Sequence, residues 1–219
     1  MLPRLALVDP ELTISLPPQV TAYTGMDALT QLIEPYTANL PNSMIDLISL
    51  EGIRRISRSL LRAYQNSNDH NSREDMSLAS LFGGISLANA PLGAVHGFAG
   101  PIGGTILVPH GAICARLLPL VMEKNIKALE SGRGDPAWLK RYEDIARALT
   151  GKSDAQAMLG VEFVYMMREK LNIDPLSKYG MTIKHIPDLV EKSSKASSMK
   201  GNAVSLSMEE METILLEAL

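Results

Sequence analysis

Apolar side chains recur every three or four residues along most of this chain, interrupted by short polar stretches or by glycine and proline. That spacing predicts amphipathic helices. It is clearest over residues 43–64, where Ile45, Ile48, Ile53, Ile56, Leu60 and Leu61 fall at helical intervals. The polar run QNSNDHNSR at 65–73 reads as a surface loop, and Ser72 with Asp75 reads as the opening of a helix that reaches about residue 90. Further helices are expected over 94–100, 111–128, 135–150, 154–172, 186–198 and 207–219. SGRGD at 131–135 and GKSD at 151–154 read as turns.

The N-terminal part is less regular. Only RLALV at 4–8 has the character of a strand, and Asp9-Pro10 stops it. One such strand cannot form a sheet alone. Leu16-Pro17-Pro18 is a rigid connector. Thr24 precedes GMDALTQLIEPYTA with Asp27 three positions on, an arrangement like a capping box, so a helix is expected to begin there. Pro35 is expected to kink that helix or to start a new turn. The resulting expectation is an all-α fold over residues 1–219, a single bundle of about eight helices with a short extended N-terminal segment.

Composition narrows the classes. The 219 residues are 46% hydrophobic, enough for a sizeable core. Aromatic content is 5% with twelve methionines, as suits packed helices. A formal net charge of -3 offers no basic patch for nucleic acid or an anionic membrane. No run of 18 apolar residues predicts a membrane span, and Leu-Pro-Arg-Leu-Ala after Met1 lacks the pattern of a signal peptide, so a cytoplasmic location is expected. Cys114 is the sole cysteine, which excludes an internal disulfide, and on an apolar helix it reads as a core thiol.

The stretch PLGAVHGFAGPIGGTILVPHG at 91–111 carries the candidate chemistry. Eight of the sixteen glycines lie between Gly83 and Gly111, and each one inside a helix costs about 1 kcal/mol against alanine. His96 and His110 sit here, across an expected break at Pro101 and Pro109. The residues leave two readings open: ordinary buried histidines bonded to backbone, or two helix starts aiming both rings into one pocket. At a helix N-terminus the imidazolium of His110 is disfavoured, which keeps the ring neutral as a ligand. His70 reads as solvated and His185 as a cap. Asp27 is the best third ligand, with Gln31 one turn later on the same face, although a capping role for Asp27 is the plainer reading of that segment alone. No dinucleotide fingerprint, P-loop, nucleophile elbow or His-Glu-x-x-His motif is present.

TGMDALTQLIEPY, PLGAVHGFAGPIGG and VPHGAICARLLP, in that order, resemble the iron-containing (group III) alcohol dehydrogenases, and the likeness extends over nearly the whole chain. The resemblance implies a two-domain enzyme in which an N-terminal α/β domain binds NAD(P) and a helical C-terminal domain carries the metal. This chain looks like the second domain, with residues 1–20 as the connector from a nucleotide-binding domain. The family's metal ligands map onto Asp27, His96 and His110, while the fourth position is Gln31. A family histidine often assigned to proton handling maps onto Gly100. An Asp/His/His set also resembles the zinc-binding glycerol dehydrogenase and dehydroquinate synthase relatives, so Fe2+ or Zn2+ is implied.

The leading expectation is the metal-binding domain of an NAD(P)-dependent alcohol dehydrogenase acting on a small alcohol or carbonyl compound, inactive by itself and self-associating as a homo-oligomer. Two alternatives remain. One is a metal-free helical scaffold with a decayed site. The other is a dehydroquinate synthase-like lyase, for which Arg116 is the only basic residue close to the candidate ligands in sequence.

Overall fold

A computed structural model describes residues 5–219. Among these residues there are nine α-helices, four short 3-10 turns and no strand. The helices are α1 (Pro18–Thr37), α2 (Ser43–Gln65), α3 (His70–Asn89), α4 (Ala94–Thr105), α5 (His110–Glu130), α6 (Ala137–Thr150), α7 (Ala157–Lys170), α8 (Ile186–Ser194) and α9 (Met208–Glu217). The all-α expectation of about eight helices holds, and each of the nine helices falls on a segment expected to be helical. The strand-like segment pairs with nothing, as expected of a lone strand: Leu5 to Val8 belongs to no regular element, Leu5 and Leu7 are almost wholly exposed, and Arg4 lies outside the described residues.

α1 is the central rod. Thirteen of its twenty residues are buried, and it packs against α2, α3, α5 and α6. Met26, Leu29, Leu32 and Ile33 meet Ile53, Ile56 and Leu60 of α2 and Ile113 and Leu117 of α5 in one continuous core. Burying each such side chain contributes about 1.5–3 kcal/mol. A polar face on any one of these helices would leave that core open.

The start of α1 corrects the sequence reading. The helix begins at Pro18, because proline's fixed φ and missing N–H suit the first helical position. Thr24 is therefore inside the helix, and its hydroxyl donates back to the Val20 carbonyl at 2.8 Å. Asp27 also lies deep inside α1, so it caps nothing. Pro35 does not restart the helix, which runs on to Thr37.

Two other boundaries moved for physical reasons. α3 starts at His70 because the Asp69 carboxylate accepts from the Ser72 N–H at 3.1 Å, making Asp69 the cap and shortening the loop. α4 continues through Pro101 to Thr105, and the true break lies at residues 106–109. Val95, Phe98, Ala99 and Ile102 are fully or almost fully buried on α4, so packing outweighs the poor helix propensity of its glycines and proline. Elsewhere the expected ends hold within a few residues: Gly151 terminates α6 in the left-handed region (φ 72°), and a Ser207–Glu210 capping box opens α9.

Asp75, freed from any capping duty, ties α3 to α2. It accepts from Arg58 Nε and Nη2 and from Arg55 Nη1 at 2.7 Å each, and from the Ser59 hydroxyl at 2.6 Å. Chiefly the Arg58 hydrogen bonds hold its carboxyl down at about 2, against burial that pushes it up. A depressed folded-state pKa means that this stabilisation is complete above the unfolded value near 4 and is lost as pH falls towards 2. Asp75→Asn is expected to lower stability at neutral pH by about 1–2 kcal/mol, discounted for the exposed arginine. In denaturant titrations the gap between parent and variant should shrink between pH 4 and 2. A gap that persists undiminished at pH 2 contradicts the assignment.

Candidate metal centre

Three helices converge on one spot. α1 supplies Asp27 from its middle, α4 supplies His96 from its first turn, and α5 supplies His110 as its first residue. Two helix starts do meet, as one of the two open readings required, although Pro101 plays no part in the break. The close fit is set by Gly111: a Cβ there would lie 2.2 Å from the Tyr23 carbonyl oxygen of α1. Only glycine lets α5 begin this close to α1.

Asp27 Oδ1 lies 3.6 Å from His96 Nε2 and 3.5 Å from His110 Nε2. The two rings are 5.5 Å apart between centroids and tilted by 44°. Those oxygen–nitrogen separations are charge contacts rather than good hydrogen bonds, and Oδ1 is buried without a hydrogen-bond partner. A buried, unsatisfied carboxylate oxygen is costly. A tetrahedral cation with bonds of about 2.1 Å holds its donors about 3.4 Å apart, close to the spacing seen here. One carboxylate and two imidazoles form a donor set that suits Zn2+ or Fe2+. The residues therefore fit a divalent ion.

Gln31 stands one turn along α1, and its amide nitrogen donates to Asp27 Oδ2 at 2.9 Å. It thus holds the carboxylate by Oδ2 and leaves Oδ1 as the oxygen turned to both histidines. Gly100, onto which the resemblance maps a proton-handling histidine, has no neighbouring atom within 4 Å of where a Cβ would lie.

Access is one-sided. The His96 side chain is almost buried, whereas that of His110 is 52% exposed and forms the rim. Burial works against ionisation of Asp27, but His110 and His96 outweigh it and hold the carboxyl well below the usual carboxylate range. Burial likewise opposes a charged His96, yet Asp27 and Glu34 outweigh it and raise that ring to about 9. This is a pocket built to hold positive charge.

Two neighbours escaped the sequence reading. Glu34, buried on α1, places Oε2 2.6 Å from His96 Nδ1. Its signal was available: Asp27, Gln31 and Glu34 are spaced i, i+4, i+7 on one face of an otherwise apolar helix. Cys114, one turn after His110 on α5, is a core thiol as expected, but its Sγ also comes 3.5 Å from His110 Nε2. Donor atoms of Asp27, His96, His110 and Cys114 all lie within 4.8 Å of one another. Burial pushes the Cys114 thiol well above its usual range.

The remaining candidates stand apart. His70 is exposed at the start of α3, and His185 Nδ1 accepts from the Thr182 N–H at 3.0 Å as a cap. Arg116 donates to the carbonyls of Ala218 and Glu217, at 3.1 and 3.4 Å.

Comparison with known proteins decides the family. Residues 21–219 match the model of the Fe-containing alcohol dehydrogenase family, C-terminal region. The chain belongs to this family. Alcohol dehydrogenase 4 of Saccharomyces cerevisiae is 33% identical over 217 residues, covering 99% of this chain and 55% of the yeast protein. The 1,3-propanediol dehydrogenase of Klebsiella pneumoniae is 41% identical over 127 residues, 58% of this chain and 33% of that protein. Among solved structures, an archaeal halo-thermophilic Red Sea brine pool alcohol dehydrogenase superposes with a TM-score of 0.91 at 28% identity, over 99% of this chain and 55% of the other. The chain thus spans about half the length of such iron-containing alcohol dehydrogenases, and it matches their C-terminal helical part.

Because the convergence of these helices rests on Gly111, Gly111→Ala is expected to lose about 1–3 kcal/mol of stability through overpacking against the Tyr23 backbone. Gly104→Ala, where a Cβ would meet nothing within 4 Å, should be neutral or stabilising by up to about 1 kcal/mol. Chemical denaturation compares them, and equal effects at the two positions would contradict the close approach.

Proposed function

We propose that this chain is the metal-binding half of an NAD(P)-dependent alcohol dehydrogenase, interconverting a small alcohol with its aldehyde or ketone. The observation that carries the reading is Asp27 Oδ1, buried and unsatisfied, facing the Nε2 atoms of two histidines brought from separate helix starts. Asp27, His96 and His110 would hold the ion, with Gln31 beside them. A bound Fe2+ or Zn2+ with one carboxylate ligand keeps a charge of about +1, which lowers the pKa of an alcohol and polarises a carbonyl.

The chain's own residues supply position and access. Gln31 orients the Asp27 carboxylate. His96, inside the core, is shielded from water, while half-exposed His110 marks the side from which substrate would enter. Gly100 leaves open space and offers no proton-transfer group, so proton movement would run through solvent or a group from another part of the enzyme. The nicotinamide would come from a nucleotide-binding α/β domain reached through residues 1–20, since the described residues contain no strand and hence no glycine-rich strand–helix turn for a pyrophosphate. A dehydroquinate synthase-like lyase is disfavoured because Arg116 is engaged by the carbonyls at the end of α9. No single helix among the described residues is long and apolar enough to cross a membrane.

Calorimetric titration with zinc and with ferrous iron tests the site. The parent should bind weakly, and Gln31→His should bind more tightly because an imidazole one turn along α1 can add a ligand, where the Gln31 amide is committed to Asp27 Oδ2. His96→Ala and His110→Ala should each abolish measurable binding. Undiminished binding by either alanine variant rules out the assignment. Self-association is also proposed, through Leu5, Leu7 and Leu12, which are 84%, 90% and 78% exposed. Light scattering should give a mass above the monomer at high concentration, reduced by charged substitutions at Leu5 and Leu7; a strictly monomeric mass counts against it.

A further inference from the structure

Glu34 does two things with one carboxylate. Its Oε2 meets His96 Nδ1 at 2.6 Å, and its Oε1 accepts from the Val95 N–H at 2.6 Å, with the His96 N–H a further 3.4 Å contact to Oε2. It thereby occupies the unpaired N–H groups at the start of α4 while holding the ring that this same turn carries. The third free N–H, that of Ala94, is taken by Asn202 Oδ1 at 3.2 Å. Gly93 makes the fit possible: a Cβ there would stand 2.8 Å from Glu34 Oε1 and 3.1 Å from Asn202 Oδ1. α4 has no side-chain cap of its own, so its start is anchored entirely by residues from elsewhere in the chain.

The consequence is chemical. A carboxylate only accepts, so its 2.6 Å contact places the proton of a neutral His96 on Nδ1. The lone pair is then on Nε2, the atom that faces Asp27 Oδ1. The shared carboxylate also prevents the ring from rotating independently of the helix backbone. We propose that Glu34 is the positioning residue of the metal centre, fixing both the tautomer and the aim of His96. This rests on the proposed function, since it gives Glu34 its effect through a metal ligand. Carboxylate-to-histidine contacts behind a ligand are commonly worth about 10- to 100-fold in metal affinity.

The test uses Glu34→Gln, which keeps an oxygen for the Val95 N–H but turns an amide N–H towards Nδ1 and so favours the wrong tautomer. Zinc affinity by calorimetry should fall about 10- to 100-fold, while helicity and melting temperature stay close to the parent's. Proton NMR of the zinc-loaded protein, labelled with 15N-histidine, should show a downfield Nδ1–H for His96 in the parent that is lost in the variant. If a folded Glu34→Gln binds zinc as tightly as the parent, with the Nδ1–H retained, the positioning role is wrong although the metal site stands. If the parent binds no zinc, the metal reading itself fails and this role falls with it.

Discussion

The site hangs on a carboxylate oxygen that has no partner. Asp27 Oδ1 is buried, its sister oxygen is committed to Gln31, and both nearby imidazole nitrogens stand just beyond hydrogen-bond reach. Such an arrangement is unfavourable unless positive charge occupies the gap. Everything around it is organised to keep the gap in place. α1 is locked on several sides by apolar packing, so Asp27 cannot withdraw. Gly111 lets α5 start against α1, and Glu34 pins the beginning of α4. The partial positive charge at the two helix starts favours the carboxylates. The pocket therefore balances two carboxylates against two histidines, with room for one cation.

This arrangement also explains why the glycine-rich stretch tolerates its own instability. Gly93, the residue before α4, and Gly111, in the first turn of α5, stand where a Cβ would collide with the Glu34 carboxylate and the Tyr23 backbone, so glycine is what permits the convergence. Gly100 and Gly104 are different. Nothing lies within 4 Å of where their Cβ atoms would be, and both positions are exposed.

Long apolar periodicity was a sound guide where packing and propensity agree. α2 and α5 were legible almost to their ends because their buried faces repeat at helical spacing. The errors fell where a side chain is used for something other than its local preference. Thr24 and Asp27 look like a helix start, yet the true start is Pro18, and Asp27 caps no backbone but turns one carboxylate oxygen to the histidines. Pro101 and its neighbouring glycines look like a helix end, yet tertiary burial of Phe98 and Ile102 carries α4 past them. For the site, the residues alone left His96 and His110 undecided and offered Asp27 as the best third ligand, with capping the plainer reading of its segment; the family resemblance tipped all three towards a metal site. Glu34 was missed although its spacing from Asp27 places it on the same face. Its role depends on the start of α4 lying beside α1, which only tertiary packing brings about.

The central claim is that Asp27, His96 and His110 share one divalent ion. A crystal structure of the protein grown with zinc, with anomalous data collected at the zinc edge, addresses it directly. The account predicts a single strong peak at about 2.0–2.2 Å from Asp27 Oδ1, His96 Nε2 and His110 Nε2 together. A zinc ion bound elsewhere, or one in contact with only one of the three side chains, would contradict it.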